Sequence, residues 1–321
     1  MWAHRPLLIY ALCWSGSISA AEPVPNGPAI IVPAIELPSE VATAAIQPDT
    51  YNRPTTAVGI SGEGPFRFLI DTGAQATVVA RSLAERLALP AAGEGILVAT
   101  GSRRAVNLVE ITALIFADRE LSLPAIPVLE REHLGADGIL GLDALQDLRV
   151  LIDFRQNVIS IADPEEERLT GRYEIIVRAR KRLGQMIITD AAIDGVRTAV
   201  IVDTGAALSI GNRALQRRLR ARSQEEVEST DVNGVSFLTD LRIAKRVEIG
   251  SLSIDTVQIG FAHSPAFAAL DLAERPALIL GMSALQGLDR LAIDFAARKV
   301  MFDLPRDAGR RNSGRKASRW F

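Results

Sequence analysis

The chain has 321 residues, 48% of them apolar and 23% charged, with a formal net charge of −2. That length suits one large domain or two medium ones with a real core, and the near-neutral charge excludes the overall basic field that attracts nucleic acid. The single cysteine, Cys13, excludes a disulfide framework.

Residues 1–21 predict an export signal. MWAHRP carries one Arg, LLIYALCWSGSI is apolar, and SAA offers small residues for cleavage after Ala20 or Ala21. The apolar stretch is too short to span a bilayer comfortably, so no membrane association is expected after its removal. Cys13 follows Leu12 rather than a small residue, which argues against lipid attachment. The mature chain then has no cysteine, which fits a periplasmic location. Residues 22–54 hold seven prolines. Proline at that density breaks helices and removes ladder donors, so an extended arm is expected, with one edge strand at Ala29–Leu37.

Residues 55–161 form the first of two similar units. TTAVGI and PFRFLI flank the turn SGEG, and the second strand runs straight into Asp71-Thr72-Gly73-Ala74. Ser82 and Glu85 have capping-box spacing ahead of a short helix with Leu83 and Leu87 on one face and Pro90 as its stop. Strand-like GILVAT and AVNLVEI meet around Gly101-Ser102, followed by ADGILGLDAL and LRVLIDFRQNVISI.

The charged stretch ADPEEERLTGR, residues 162–172, reads as a linker. Residues 173–305 then repeat the plan. QMIITDAAI and VRTAVIV join through Asp194-Gly195, a hairpin signal, and lead into Asp203-Thr204-Gly205-Ala206. Asn212 can cap a helix. A hairpin turns at Asn233-Gly234, and LILGMSAL and DRLAIDFAARKVMFDL close the unit. Asp71 and Asp203, Gly141 and Gly281, and Asp153 and Asp294 are three pairs with nearly the same separation along the chain. The small excess in the last two pairs falls after the Asp-Thr-Gly motif, where loops can absorb it. Such ordered spacing marks an internal duplication. Residues 306–321 carry six Lys or Arg with little apolar periodicity and read as a solvated basic tail.

A single Asp-Thr-Gly after a strand is usually just a turn. Two copies, each followed in order by an apolar run ending in Leu-Gly and an Ile-Asp-Phe strand, are a different signal. LIDTGA, VIVDTGA, GILGLDAL, LILGMSAL, LIDF and AIDF together resemble the retropepsin/pepsin group of aspartic proteases, in its bacterial retropepsin-like form, over residues 55–305. The resemblance implies an all-β, bilobal acid-protease fold of two β-barrel lobes related by a pseudo-twofold axis. It implies an aspartic endopeptidase acting on a peptide or protein substrate, with Asp71 and Asp203 as the catalytic pair and no metal or cofactor. Thr72, Gly73, Ala74, Thr204, Gly205 and Ala206 become loop supports, with Gly141 and Gly281 beneath them. Two flap hairpins, 97–108 and 229–241, would bring Gly101, Ser102, Asn233 and Gly234 to the substrate.

The sequence departs from the pepsins in having no disulfides, no flap tyrosine, and alanine where a Ser or Thr follows the catalytic Gly. His4, His133 and His263 are isolated in sequence, and no nucleophile elbow or phosphate loop is present. The repeated Asp153 and Asp294 read as structural carboxylates. Two alternatives stay open: a peptide-binding protein that kept the fold without turnover, and a site assembled from two chains. The tandem repeat favours a monomer.

Overall fold

The computed structural model describes residues 8–10, 14–15, 41–145, 148–163, 173–219 and 225–305. The strand expected at 29–37, most of the linker and the basic tail lie outside the described residues, as does most of the leader.

The protein is mostly β, with short helices. In the first repeat, strands Pro54–Ile60 and Glu63–Ile70 form a hairpin. Its turn uses Ser61 and Gly62 at φ 51° and 82°, a left-handed pair that Gly tolerates best. Phe66, Phe68, Leu69 and Ile70 are buried. Beside them Gly138–Leu140 runs parallel, with Leu140 opposite Ile70. Val78–Ala80 returns antiparallel to Gly138–Leu140. The second repeat is woven the same way: Ala199–Val202 is parallel to Ala277–Leu280, and Ser209–Gly211 is antiparallel to the latter. Each catalytic-type loop therefore lies between a strand that enters it and a strand that leaves it, both tied to one central apolar strand. Buried on both faces, these strands are the near-continuous apolar runs seen in the sequence.

The helix of the first repeat spans Arg81–Arg86, with Leu83 and Ala84 buried. Its N-cap is Ala80, and no side chain caps it, so the capping box expected at Ser82 is not formed. The cause is the sheet. Ala80 is still held by its N–H to the Asp137 carbonyl at 2.9 Å, so the helix starts directly after it and Ser82 falls inside the first turn. In the second repeat Asn212 does cap the helix Arg213–Leu219, with its Oδ1 accepting from Leu215 N at 2.8 Å. Its amide also donates to the Leu272 and Arg275 carbonyls, both at 2.7 Å.

The two repeats are joined by one sheet. Each ends in a hairpin, Arg149–Asp153 with Val158–Ala162 and Arg290–Asp294 with Lys299–Asp303. The first strands of these hairpins pair antiparallel with each other, Arg149 opposite Asp294 and Asp153 opposite Arg290. Strand Ala42–Ala45 forms one outer edge, and on the other side Ile175–Arg182 pairs with Lys299–Asp303 and carries the sheet on to Gln185–Ile188. Arg149 donates through Nε and Nη2 to Asp294 Oδ2 at 3.0 and 2.7 Å, while Asp153 accepts from Gln156 N at 2.7 Å inside its own turn. Both aspartates are structural, as their strand positions suggested. The largest apolar core draws side chains from both repeats.

Candidate active site

Asp71 and Asp203 each stand one residue past a buried strand. Their backbone N–H groups donate to Leu140 and Leu280, both at 3.0 Å, so the central strand of each repeat fixes where its aspartate begins. Both side chains are fully buried. In each loop the chain then turns back on its own carboxylate. Asp71 Oδ1 accepts from Gly73 N at 2.7 Å and Ala74 N at 2.8 Å; Asp203 Oδ1 accepts from Gly205 N at 2.8 Å and Ala206 N at 3.0 Å.

The threonines between them cross from one repeat to the other. Thr72 N donates to Thr204 Oγ1 at 3.1 Å and Thr204 N donates to Thr72 Oγ1 at 3.2 Å. Each hydroxyl passes its own proton on, Thr72 to the Val202 carbonyl at 2.9 Å and Thr204 to the Ile70 carbonyl at 2.6 Å. This four-bond clamp is buried, where each such bond is worth about 0.5–1.5 kcal/mol and the direction of every dipole is fixed. It brings the loops so close that a Cβ on Gly73 would lie 2.3 Å from Asp203 Cγ, and one on Gly205 would lie 2.2 Å from Asp71 Oδ2. Only glycine admits the opposite carboxylate there. Gly141 and Gly281 lie beneath, where a Cβ would come 2.4 Å from the Ala76 backbone and 2.6 Å from the Leu208 carbonyl.

The Asp203 carboxyl is pushed well above the ordinary carboxylate range. Burial is the largest cause, followed by the charge of Asp71 and a hydrogen bond between the two carboxyls; the Gly205 and Ala206 amides oppose it. A pair in this state holds one proton between two oxygens rather than two full charges.

Two struts that sequence reasoning missed support the loops. Gln185 donates its amide to the Gly73 carbonyl, and Arg53 Nη1 reaches the Gly205 carbonyl at 3.5 Å. Both cross between repeats, and they hold equivalent places: Arg53 precedes Asp71 by the same interval as Gln185 precedes Asp203. Arg53 is fully buried, paired with Asp49 at 2.7 Å and donating to the Leu134 carbonyl at 3.0 Å. That shared interval was the available signal.

The hairpins expected as flaps are formed by Ala91–Val98 with Arg103–Phe116, and by Glu225–Asp231 with Ser236–Ile249. Their tips meet. Asp231, fully buried, accepts from Gly101 N at 3.1 Å and Ser102 Oγ at 2.6 Å across the gap, and from Asn233 N at 3.0 Å in its own turn. Asn233 Nδ2 donates back to Ser102 Oγ at 2.9 Å, and Arg104 Nη1 donates to the Asn233 carbonyl at 2.9 Å. A Cβ on Gly101 would lie 2.3 Å from the Phe237 ring, and one on Gly234 2.3 Å from His133 Nε2. All four flap residues expected from the sequence are thus brought together, around an aspartate that was not expected.

Two family comparisons match these repeats one after the other. Residues 56–147 match the family described as “gag-polyprotein putative aspartyl protease”, and residues 189–284 match the family described as “aspartyl protease”. The chain belongs to the retropepsin-like aspartic proteases. Each match contains one Asp-Thr-Gly-Ala loop and one Leu-Gly segment, so the chain carries two such repeats in tandem. No curated protein sequence matches the chain. Among the described residues, no group of three or more His, Cys, Asp or Glu is placed to hold a metal ion, and no helix is long and apolar enough to cross a membrane.

Proposed function

We propose that this retropepsin-like protease is an aspartic endopeptidase in which Asp71 and Asp203 act as one catalytic pair on a water molecule. The observation that carries this reading is the crossed Thr72–Thr204 clamp, which draws the two loops together so that each carboxylate lies against the other loop's glycine. The ionised carboxylate removes a proton from the water as the water oxygen attacks the peptide carbonyl carbon. The protonated carboxyl donates to the carbonyl oxygen as that oxygen becomes an oxyanion. Collapse of the tetrahedral intermediate breaks the C–N bond, and the proton taken from water goes to the leaving amine. The Gly73, Ala74, Gly205 and Ala206 amides aim at the inner oxygens, which leaves the outer oxygens for water and substrate. The flap tips at Gly101, Ser102, Asn233 and Gly234 cover the peptide, and the enzyme works after export, in the periplasm.

A site drawn from two repeats of one chain makes the monomer the working unit. Specific activity on an unfolded protein substrate is expected to stay constant on dilution to nanomolar enzyme. A fall on dilution would instead indicate a site shared between chains. Absence of turnover at every concentration, with peptide binding intact, would identify a binding protein.

The pH profile follows from the same contacts. Ala74 and Ala206 offer no side-chain hydroxyl to the charged pair, so one source of pKa lowering is missing on both sides. Burial and the charge of Asp71 raise the Asp203 carboxyl further. The singly protonated pair is the active form, so activity appears as pH rises through the first apparent pKa and is lost through the second; both values belong to the pair. The expected kcat/KM profile is a bell of mildly acidic optimum, about pH 4 to 6. Ala74→Ser and Ala206→Ser are each expected to move the acidic limb downward. An optimum near pH 2 in the unaltered chain, or two serine variants with unshifted limbs, would contradict the argument.

A further inference from the structure

Each repeat packs a short helix against the long second strand of its flap hairpin, and a crevice lies between them. In the first repeat this crevice is a cavity of about 480 Å³ whose lining includes Arg81, Ala84, Asn107, Val109 and Val128. Arg81 is neutralised there by Glu130, at 2.6 Å.

The second repeat builds the same crevice from different side chains. Strands Arg103–Phe116 and Ser236–Ile249 are both 14 residues long. Their ladders agree, with Leu108 opposite Pro127 and Leu241 opposite Gly260. Counted along these strands and from Asp71 and Asp203, the places of Arg81, Ala84, Asn107, Val109 and Val128 are taken by Arg213, Gln216, Asp240, Arg242 and Phe261. An alanine and a valine have thus become a glutamine and an arginine. His263 stands in the place of Glu130, and Asp240 takes over the pairing. Its Oδ2 accepts from Arg213 Nη1 and, at 2.8 Å, from Gln216 Nε2.

Arg242 is left over by this arrangement. It is only 7% exposed, and its guanidinium carbon lies 5.6 Å from the centre of the Phe261 ring. Its Nε and Nη1 are buried and have no hydrogen-bond acceptor among the described residues. Buried donors are normally bonded, and an unmet donor costs most on a charged group. Burial lowers the Arg242 pKa, with Asp240 opposing and Arg213 adding to the effect, yet an arginine keeps its proton in proteins. Two guanidinium groups against one carboxylate leave one positive charge in excess. A single further carboxylate neutralises it, and its planar pair of oxygens matches guanidinium geometry. A phosphate group carries about −1.5 to −2 at pH 7 and would overshoot.

We propose that the crevice between helix Arg213–Leu219 and strand Ser236–Ile249 is a carboxylate-binding site, in which the ligand accepts from Arg242 in the interior and from Arg213 beside it. The Phe261 ring offers an apolar surface to the body of the acid. The helix follows the Asp203 loop through Ser209–Gly211 and Asn212, and the strand carries the flap, so an occupant ties the base of that flap to the loop's own support. The site does not depend on whether the protein turns over peptide. The carboxylate can belong to a free short-chain acid or to the C-terminus of a peptide.

The test is a titration of the full chain, with arginine labelled by 15N and its Nε–Hε signals followed by NMR. The probes are propionate, acetyl-alanyl-alanine, the C-terminal amide of that dipeptide, and inorganic phosphate. The Arg242 signal, assigned by its loss in Arg242→Lys, is expected to shift saturably with at least one of the two acids and not with the amide. Saturation by propionate alone identifies a free acid as the source, and saturation by the dipeptide alone identifies a peptide end. Affinity is expected to fall at least about tenfold in Arg242→Met and in Arg213→Gln, the scale of one hydrogen bond to a charged group. Without ligand, Arg242→Met is expected to keep or raise Tm, because it replaces a buried unpaired charge by an apolar chain. No saturable shift with either acid overturns the proposal, and this readout needs no variant to fold. Equal binding of acid and amide, or tighter binding of phosphate than of either acid, overturns it as well.

Discussion

Asp71→Asn and Asp203→Asn, made singly, are each expected to lower kcat/KM by at least about 10³-fold, because in the mechanism we propose either change removes one of the two proton transfers. In that proposed mechanism neither half of the site compensates for the other, since each carboxyl acts on the same water and the same carbonyl. Fold stability provides the control. Burial holds the Asp203 carboxyl above its unfolded pKa, so the folded chain binds more protons than the unfolded one between the two values. Stability from this group is therefore fully present below the unfolded pKa and is lost as pH rises through the folded pKa. Asparagine cannot ionise, so Asp203→Asn is expected to leave Tm at pH 7 unchanged or higher. Half-activity in either single variant, or a Tm that falls with activity, would contradict a shared site.

Gly73→Ala and Gly205→Ala are expected to be nearly as damaging to turnover, for a steric reason. A new methyl at either position would sit 2.2–2.3 Å from the opposite carboxylate, where carbon contacts normally settle at about 3.5–4.0 Å. The loops must separate by more than about 1 Å, a displacement large enough to cost on the order of 10²-fold in rate. Overpacking of this kind also costs about 1–3 kcal/mol. The stability loss and the rate loss are expected together, unlike the aspartate variants, and comparing Tm with kcat/KM in all four proteins separates the two mechanisms. Gly93, where a Cβ would meet nothing within 4 Å but φ is +99°, serves as the reference for backbone strain without steric contact.

Much of the site was legible because the duplication writes it twice. Asp71, Thr72, Gly73 and Ala74 and their counterparts follow a strand end and bond either within their own loop or, at the threonines, to the matching residue of the other repeat, so one pattern covered both halves of the site. What escaped was chemistry that depends on distant pairing. Arg53 stands near the end of the proline-rich arm, where no motif singled it out, and it is fully buried on Asp49 and two carbonyls. Asp231 lies two residues before Asn233 and accepts from Asn233 N and Val235 N within its own turn, while its other oxygen reaches the opposite flap. Ser82 illustrates the reverse error: its local cap signal was sound, and the sheet overrode it by holding the chain at Ala80.

The sheet that joins the repeats has a consequence for how the protein behaves when crowded. Its central contact, Arg149–Asp153 against Arg290–Asp294, is an antiparallel ladder between two equivalent strands, and the Arg149–Asp294 ion pair lies across it. Nothing in that ladder distinguishes the second half of the same molecule from the second half of a neighbour. Two chains can therefore trade halves, each completing the other's ladder, Thr72–Thr204 clamp and aspartate pair. The exchanged species is a dimer with two whole sites per two chains. It would form during refolding at high concentration and keep full specific activity, while eluting at twice the mass.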